Sequence, residues 1–384
     1  MHGSPALSTS YDVIILGAGI IGTACALECA RDGMRVAVVD AGEVGGGATA
    51  AGMGHIVVMD DSPAQLALTR YSQILWQDLA PELPSAAEYE TPGTIWIAAD
   101  EEEMKEATRK CVLYQHHNIP AEILDAQSLC EAEPRLNPAL AGGLLVPQDA
   151  ILNASRAARH LLDRAIWGDA VLLRKTAVKI GNNRVQFSDG TTFSSARIVN
   201  AAGADAAELT PELPIRRRKG HLVLTDRYPK FVRHQLVELS YLKGAGSIAP
   251  ESIAFNVQPR KTGQMLIGSS RQYDAEGPDV EQPVLDRMME RARSYLPDLD
   301  QLTTVRAWTG FRAATPDKLP LIGPSWSDPT VFLATGHEGL GITTALATAR
   351  LLADHIAGRS SEIPREPYFP SRLQLDTMVD RGHS

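Results

Sequence analysis

The segment that most constrains the fold is Gly17-Ala18-Gly19-Ile20-Ile21-Gly22. It follows the apolar run Tyr11–Leu16 (YDVIIL) directly and opens an alanine-rich stretch of helical spacing, Ile20–Arg31. A β-branched apolar run ending in glycine reads as a strand buried on both faces, and Arg35–Asp40 (RVAVVD) reads as a second. Strand, helix and strand within about 30 residues make a βαβ unit. Gly17 permits the tight turn, Gly19 lets backbone approach a pyrophosphate, and Gly22 lets helix and strand pack closely. The helix N-terminus favours the anion. Asp40 ends the second strand about 20 residues on, where a carboxylate can accept both ribose hydroxyls. The unit predicts dinucleotide binding through Gly17, Ala18, Gly19, Ile20, Ile21, Gly22, Asp40 and Ala41. That carboxylate would repel a 2′-phosphate, which disfavours NADP and leaves NAD and FAD. A second glycine-rich run, Gly45–Gly52 (GGGATAAG), lets backbone pass close to phosphate and a flat ring, and tips the choice to FAD.

Further along, the spacing predicts helices over Ala64–Leu79, Asp100–His117, Asn153–Trp167, Val284–Tyr295 and Ile342–Ile356. Strands are expected at Thr94–Ala98, Gly143–Val146 and Val331–Ala334, and a meander over Val171–Phe193 around the turn Ser188-Asp189-Gly190. From Ile215 to Ser269 the chain is mostly strand-like, and the basic run Arg216–Lys219 reads as a solvated strand edge. Lys plus Arg number 37 and Asp plus Glu 46, so 37 − 46 gives −9, which argues against nucleic acid or an anionic membrane as the main partner. Cys25, Cys29, Cys111 and Cys130 fit no disulfide framework or metal spacing, and a reducing cytoplasm is the expected setting. The longest early uncharged run, Val13–Leu27, falls short of the about 20 residues a membrane span needs.

Five ordered segments carry a family resemblance: GAGIIG, GGGATAAG, IVNAAGA, GFRAATPDKLPLIGP and ATGHEGLGI. Together, over about Tyr11–Gly358, they resemble the D-amino-acid-oxidase-like flavoenzymes, a group with glycine oxidase, sarcosine oxidase and proline or hydroxyproline dehydrogenases. ATAAGMGHIVVMDDSP and GHEGLGI most resemble the flavin (beta) subunit of bacterial D-hydroxyproline dehydrogenases. The resemblance implies an α/β fold whose Rossmann-like FAD-binding domain is assembled from residues 11–85, 145–212 and 308–384. A β-rich α+β substrate domain of residues 86–144 and 213–307 is inserted, and residues 1–10 form a flexible N-terminal segment.

The resemblance also implies site residues. Gly47, Ala48 and Thr49 would lie along the pyrophosphate and ring, with Gly52 and Met53 beside the isoalloxazine. Val178 would offer backbone near the adenine, and Ala202 and Gly203 would pass beneath the nucleotide. Gly310, Gly336, Gly339, Leu340, Gly341 and Ile342 would adjoin the flavin, the last of these opening a helix whose N-terminus stabilises charge on the reduced ring. Arg312 would clamp a substrate carboxylate, because a planar guanidinium suits a bidentate bond. His55, His337 and Glu338 flank the expected ring, and Glu338 could hold an amine or ring hydroxyl. Asn256 stands where glycine-oxidase-like pockets carry a tyrosine. No cysteine lies within Phe311–Pro316, where sarcosine oxidases attach their flavin, so FAD is expected to be non-covalent. Asp317 and Pro320 are expected to shape a turn.

The expected activity is oxidation of the Cα–N bond of a small amino or imino acid by hydride transfer to flavin N5. D-hydroxyproline or a proline-type acid is the leading substrate, with electrons passed to partner subunits or a carrier. Two alternatives stand beside it: a glycine, sarcosine or D-amino-acid oxidase making peroxide, and an FAD-binding electron-transfer subunit of a larger complex.

Overall fold

The computed structural model describes residues 9–240, 251–273, 275 and 277–374. The chain opens with β1 (Ser10–Leu16), α1 (Ile20–Arg31), β2 (Val36–Val39), α2 (Gly47–Ala51), β3 (His55–Ile56) and α3 (Pro63–Leu79). Next come β4 (Thr94–Ala98), α4 (Glu101–His116), β5 (Glu122–Asp125), α5 (Ala126–Ala132), β6 (Gly142–Val146), β7 (Ala150–Ile151) and α6 (Ala154–Trp167). The middle holds β8 (Val171–Leu173), β9 (Ala177–Gly181), β10 (Arg184–Phe187), β11 (Thr192–Asn200) and α7 (Ala206–Leu209). After these come β12 (Arg216–Thr225), β13 (Gln235–Glu238), β14 (Glu251–Pro259), β15 (Met265–Tyr273) and α8 (Gln282–Tyr295). The last elements are β16 (Thr304–Ala314), β17 (Leu321–Pro324), β18 (Val331–Thr335) and α9 (Gly341–Ile356).

Two large sheets organise these elements. The first has the order β17-β18-β11-β1-β2-β8, with the β9–β10 hairpin added to β11. β1 pairs in parallel with both β2 and β11, so it is central and covered on both faces. Its side chains alternate accordingly: Val13 and Ile15 pack into a cluster with α1, α6 and α9, while Ile14 and Leu16 join Val185, Phe187 and Phe193 on the other face. This explains why β1 is apolar throughout, as a doubly covered parallel strand must be. Gly22 is required where α1 crosses β1, because a Cβ there would overlap the carbonyl oxygen of Gly17.

The second sheet has the order β16-β12-β15-β14-β13-β4-β6-β5. One face packs on α8, with Phe255 stacked on Tyr295 at 4.5 Å. The other carries Trp96, Leu144 and Val237 against α4 and the segment Val57–Met59. Trp308 Nε1 donates to the carbonyl of Ala51 at 3.3 Å and fastens this sheet to the end of α2.

Sheet membership departs from the expected divisions at two points. The boundary expected at 307/308 falls inside β16, which pairs with β12 from Thr304 to Ala314, so Gly310 and Arg312 belong to the second sheet. The boundary expected at 144/145 falls inside β6. Of the N-terminal segment 1–10, residues 1–8 lie outside the described residues. Ser10 already belongs to β1, opposite Ser194 of β11. β5 and α5 carried no period strong enough to be read from sequence. Among the described residues no helix is long and apolar enough to cross a membrane, and no group of three or more His, Cys, Asp or Glu could hold a metal ion.

Candidate active site

The β1–α1 turn supplies the first wall. Gly17 has φ +109°, and a Cβ there would stand 2.5 Å from Ala201 O, so the end of β11 runs directly under the turn. The N-cap of α1, Gly19, has no side chain to offer. Instead Thr49 Oγ1 of α2 accepts from Ile20 N–H at 3.0 Å, and Thr49 is buried. The carboxylate of Asp40 accepts from the backbone N–H groups of Ala18 and Gly42, each at 2.7 Å, which orients it beside the turn. Gly47 and Gly203 adopt left-handed φ of +54° and +60°, and a Cβ at either would face open space. Gly47 and Ala48 are exposed, as backbone lining an open channel must be.

The start of α9 closes the second wall. A Cβ on Gly52 would approach Ile342 Cδ1 to 2.8 Å, so α2 and α9 meet end to end. Gly310 of β16 must lack a side chain because Ala51 occupies that space. The turn before α9 is tethered to β16 by Glu338 N–H donating to Ala313 O at 2.9 Å. The sequence-expected groups around α1, α2, β11, β16 and α9 thus converge, with Leu340, Gly341 and Met53 between them. Val178 lies on β9, the outer strand of its hairpin, and is half exposed. A register shift there leaves Val178 without an opposite residue on β10, as a β-bulge does.

Between the second sheet and the α9 turn lies an open cleft. His55, Asn256, His337, Glu338, Gly339 and Leu340 line it, and so do Trp96, Arg218, Arg271, Lys318, Asp61 and Gln65, which sequence reasoning missed. Arg312 lies just behind the wall. Its Nη1 donates to Ser270 O at 3.1 Å, and a Cβ on Gly339 would stand 3.8 Å from its Nε. Gly220 makes room for it, since a Cβ at that position would overlap Nη1 and stand 2.7 Å from Nη2. Arg218 and Arg312 are opposite each other on β12 and β16, a placement that costs stability unless an anion intervenes. Glu338 is that anion for Arg218, accepting from its Nη1 at 3.0 Å. Burial pushes the Glu338 carboxyl up, but Arg271, Arg312 and Arg218 outweigh this and hold it below the ordinary glutamate value. Glu338 and Lys318 both have left-handed φ, +50° and +62°, strained backbone of the kind concentrated at functional sites.

The run Arg216–Lys219 is solvated at Arg216 and Arg217, as expected, but not at Arg218 and Lys219, and it is not on a sheet edge. β12 lies between β16 and β15, and Arg218 and Lys219 are buried. Arg218 stacks over Tyr273 at 4.7 Å, and Lys219 pairs with Glu281 at 2.7 Å. Asp317, expected to shape a turn, accepts from Arg372 Nε at 2.6 Å.

Both histidines are neutral. Burial lowers the pKa of His55 to about 4 and that of His337 to about 3. His337 Nε2 is bonded to Thr348 Oγ1 of α9 at 3.0 Å, and His55 Nε2 lies 3.3 Å from Met53 Sδ. An unfolded chain protonates these imidazoles below about pH 6.5, whereas the folded protein does not until the lowered values are reached, so stability falls with pH across that window. A His337→Gln variant is expected to show a shallower fall of melting temperature between pH 6.5 and 4 than the parent. An identical slope would remove His337 as a source of acid lability.

The chain matches the family described as DAO, FAD dependent oxidoreductase, over residues 12–355. It is 29% identical over 378 residues to glycine oxidase of Geobacillus kaustophilus, covering 94% of this chain and 97% of that protein. The crystal structure of glycine oxidase from Geobacillus kaustophilus superposes with a TM-score of 0.85 at 26% identity, covering 94% of this chain and 99% of the other. Hydrogen cyanide synthase subunit HcnC of Pseudomonas aeruginosa is 27% identical over 422 residues, 96% of this chain and 97% of that protein. L-proline dehydrogenase from P. horikoshii shares the fold, with a TM-score of 0.86 at 22% identity over 96% of this chain and 99% of the other. A match spanning nearly the whole chain, on a fold whose glycine turn and cleft are built as described, places this protein in the FAD-dependent oxidoreductase (DAO) family, whose glycine oxidase members act on amino-acid C–N bonds.

Proposed function

We propose that this FAD-dependent enzyme oxidises the Cα–N bond of a small imino acid of the proline type, D-hydroxyproline foremost, and passes the electrons to a carrier or partner subunits. The observation that carries the reading is the cationic cleft: Arg218, Arg271 and Lys318 line it and Arg312 backs it, against Glu338 and Asp61. That balance favours a carboxylate ligand.

The residues fit FAD. The β1–α1 turn, Thr49 and the open glycines Gly47 and Gly203 would cradle the ADP half, with Asp40 on the ribose. Met53 and Gly339–Ile342 would border the ring. Cys25, Cys29 and Cys111 are buried within helices and Cys130 is exposed on α5. None lines the cleft, which supports non-covalent attachment. When bound, FAD supplies a two-electron acceptor for the hydride leaving Cα. Arg312 holds the substrate carboxylate and so fixes Cα; the amine lone pair forms the C=N bond as the hydride departs. His55 and His337 are neutral above about pH 4 and so add no proton donor of their own beside an amine that must react as the free base. The N-terminal end of α9 directs its backbone N–H groups toward charge that develops beside it.

The kinship with HcnC, named as a subunit, supports a multi-subunit enzyme; the kinship with glycine oxidases favours a second reading, an oxidase that reduces oxygen to peroxide. Anaerobic mixing of the holoenzyme with D- and L-prolines, hydroxyprolines, glycine and sarcosine separates the readings. Fast bleaching near 450 nm by D-hydroxyproline, with little peroxide on admitting air, is the expected result. Bleaching by glycine alone, or stoichiometric peroxide, would overturn it.

A further inference from the structure

The second sheet gives the cleft two cations, Arg218 and Arg271, and beside them a row of side chains that is apolar except at one position. Reading across neighbouring strands, Leu144 of β6 is opposite Trp96 of β4, Trp96 opposite Val237 of β13, and Val237 opposite Asn256 of β14. Beyond Asn256 comes Gly268 of β15, beside which Leu222 packs. Residues opposite one another share a face, so Asn256 is a single amide in a row of Leu, Trp, Val, Gly and Leu. It is 8% exposed, it lines the cleft, and its Oδ1 has no hydrogen-bond partner.

A buried amide oxygen left unpaired costs about 1–3 kcal/mol, and an apolar side chain of similar size in this row would remove that cost. Such an acceptor calls for a donor that arrives with a ligand. The chemistry of the donor follows from what surrounds it. A cationic amine would be drawn to Glu338 or Asp61, which carry charge in the same cleft, whereas a neutral amide among apolar neighbours matches a neutral O–H.

The position fits the same argument. Arg312 Nη1 is anchored on Ser270 O, two residues along β15 from Gly268, the residue opposite Asn256. Two residues of strand span about 7 Å, the scale of a small molecule bearing a carboxylate at one end and a hydroxyl at the other.

We infer that Asn256 reads a hydroxyl group on the substrate ring, making this site selective for a hydroxylated imino acid over the plain one. This rests on the imino-acid oxidation proposed above and names the residue that sets its specificity. The amide contributes both an acceptor, Oδ1, and a donor, Nδ2, and a hydroxyl can satisfy either.

The test measures anaerobic flavin reduction by D-hydroxyproline and by D-proline in the holoenzyme, Asn256→Leu and Asn256→Asp, together with melting curves. The Leu variant is expected to lose at least about tenfold more in its second-order reduction constant on D-hydroxyproline than on D-proline, the scale set by one unmade hydrogen bond. Its melting temperature should hold or rise, since an unpaired amide has been removed. The Asp variant, which keeps an acceptor, should recover part of the preference for D-hydroxyproline. Equal losses on both substrates, or a lowered melting temperature with the preference intact, would overturn the role of Asn256 while leaving imino-acid oxidation standing. A parent enzyme bleached equally by both substrates would do the same. A parent bleached by neither would overturn imino-acid oxidation itself and this inference with it.

Discussion

Replacing Arg312 with methionine is expected to cut kcat/KM about 10³-fold, because two charge-assisted hydrogen bonds at about 2 kcal/mol each are lost and every 1.4 kcal/mol is a factor of ten. Most of the loss should appear in substrate binding and in the limiting rate of flavin reduction together, since a carboxylate that is not held leaves Cα misplaced. A milder substitution isolates position from charge. Gly220→Ala would put a Cβ into the space of Arg312 Nη1. The colliding atom is the end of a flexible side chain, so the strand can keep its place while the guanidinium turns away from Ser270 O. A displacement of this kind is expected to cost about 10²-fold in rate with the melting temperature nearly unchanged. If Gly220→Ala unfolds the protein, Arg312 is a fixed strut of the sheet. If both variants reduce flavin at the parental rate, the carboxylate is held by the cleft-lining Arg271 or Lys318, and the assignment of Arg312 fails.

How far the site could be read from sequence follows the range of the interactions that build it. The glycine turn, Asp40 and the buried strands were legible because each depends on neighbours within about 30 residues, where spacing alone fixes geometry. The motif segments also located Thr49 and the α9 turn, and the structure joins them through one bond from Ile20 N–H and one contact between Gly52 and Ile342. Arg218 and Arg271 were missed for a physical reason: a charged side chain in a strand-like run reads as solvent-facing unless its partner is known, and Lys318, in the turn between β16 and β17, reads the same way. Arg218 is buried only because Glu338, 120 residues later, meets it, and nothing local announces that pairing. Pairing also puts Arg312 in the second sheet, since its strand is held along its length by β12. For Arg271 one signal was present: a cation between Ser269-Ser270 and Gln272 in a nine-residue strand sits where alternation directs side chains to both faces of a covered sheet.

Gly22→Ala is expected to have the largest effect on stability, about 3 kcal/mol or more, and to strip FAD from what folds. The added Cβ would overlap the carbonyl oxygen of Gly17, with Gly17 C at 3.0 Å and Ile15 Cγ2 at 3.4 Å. These atoms belong to the central strand and the turn, so neither can yield as a flexible side chain would. Relief requires α1 to lift from β1. That movement opens the core shared by Val13, Ile15, Cys25 and Cys29, all almost fully buried. It also draws the α1 N-terminus away from Thr49, so the anion cradle and the helix packing are lost together. Gly19→Ala provides the contrast. Its Cβ would stand 3.2 Å from Thr49 Oγ1 alone, so the fold should survive while backbone approach to the pyrophosphate is obstructed. Melting curves of the apoproteins and FAD titrations should separate the two: Gly22→Ala low in both, Gly19→Ala near parental in the first and weakened about tenfold or more in the second, the scale of one lost close contact to phosphate. A Gly22→Ala apoprotein that melts with the parent would mean that α1 tolerates the added methyl, and the close-packing role assigned to this glycine would fall.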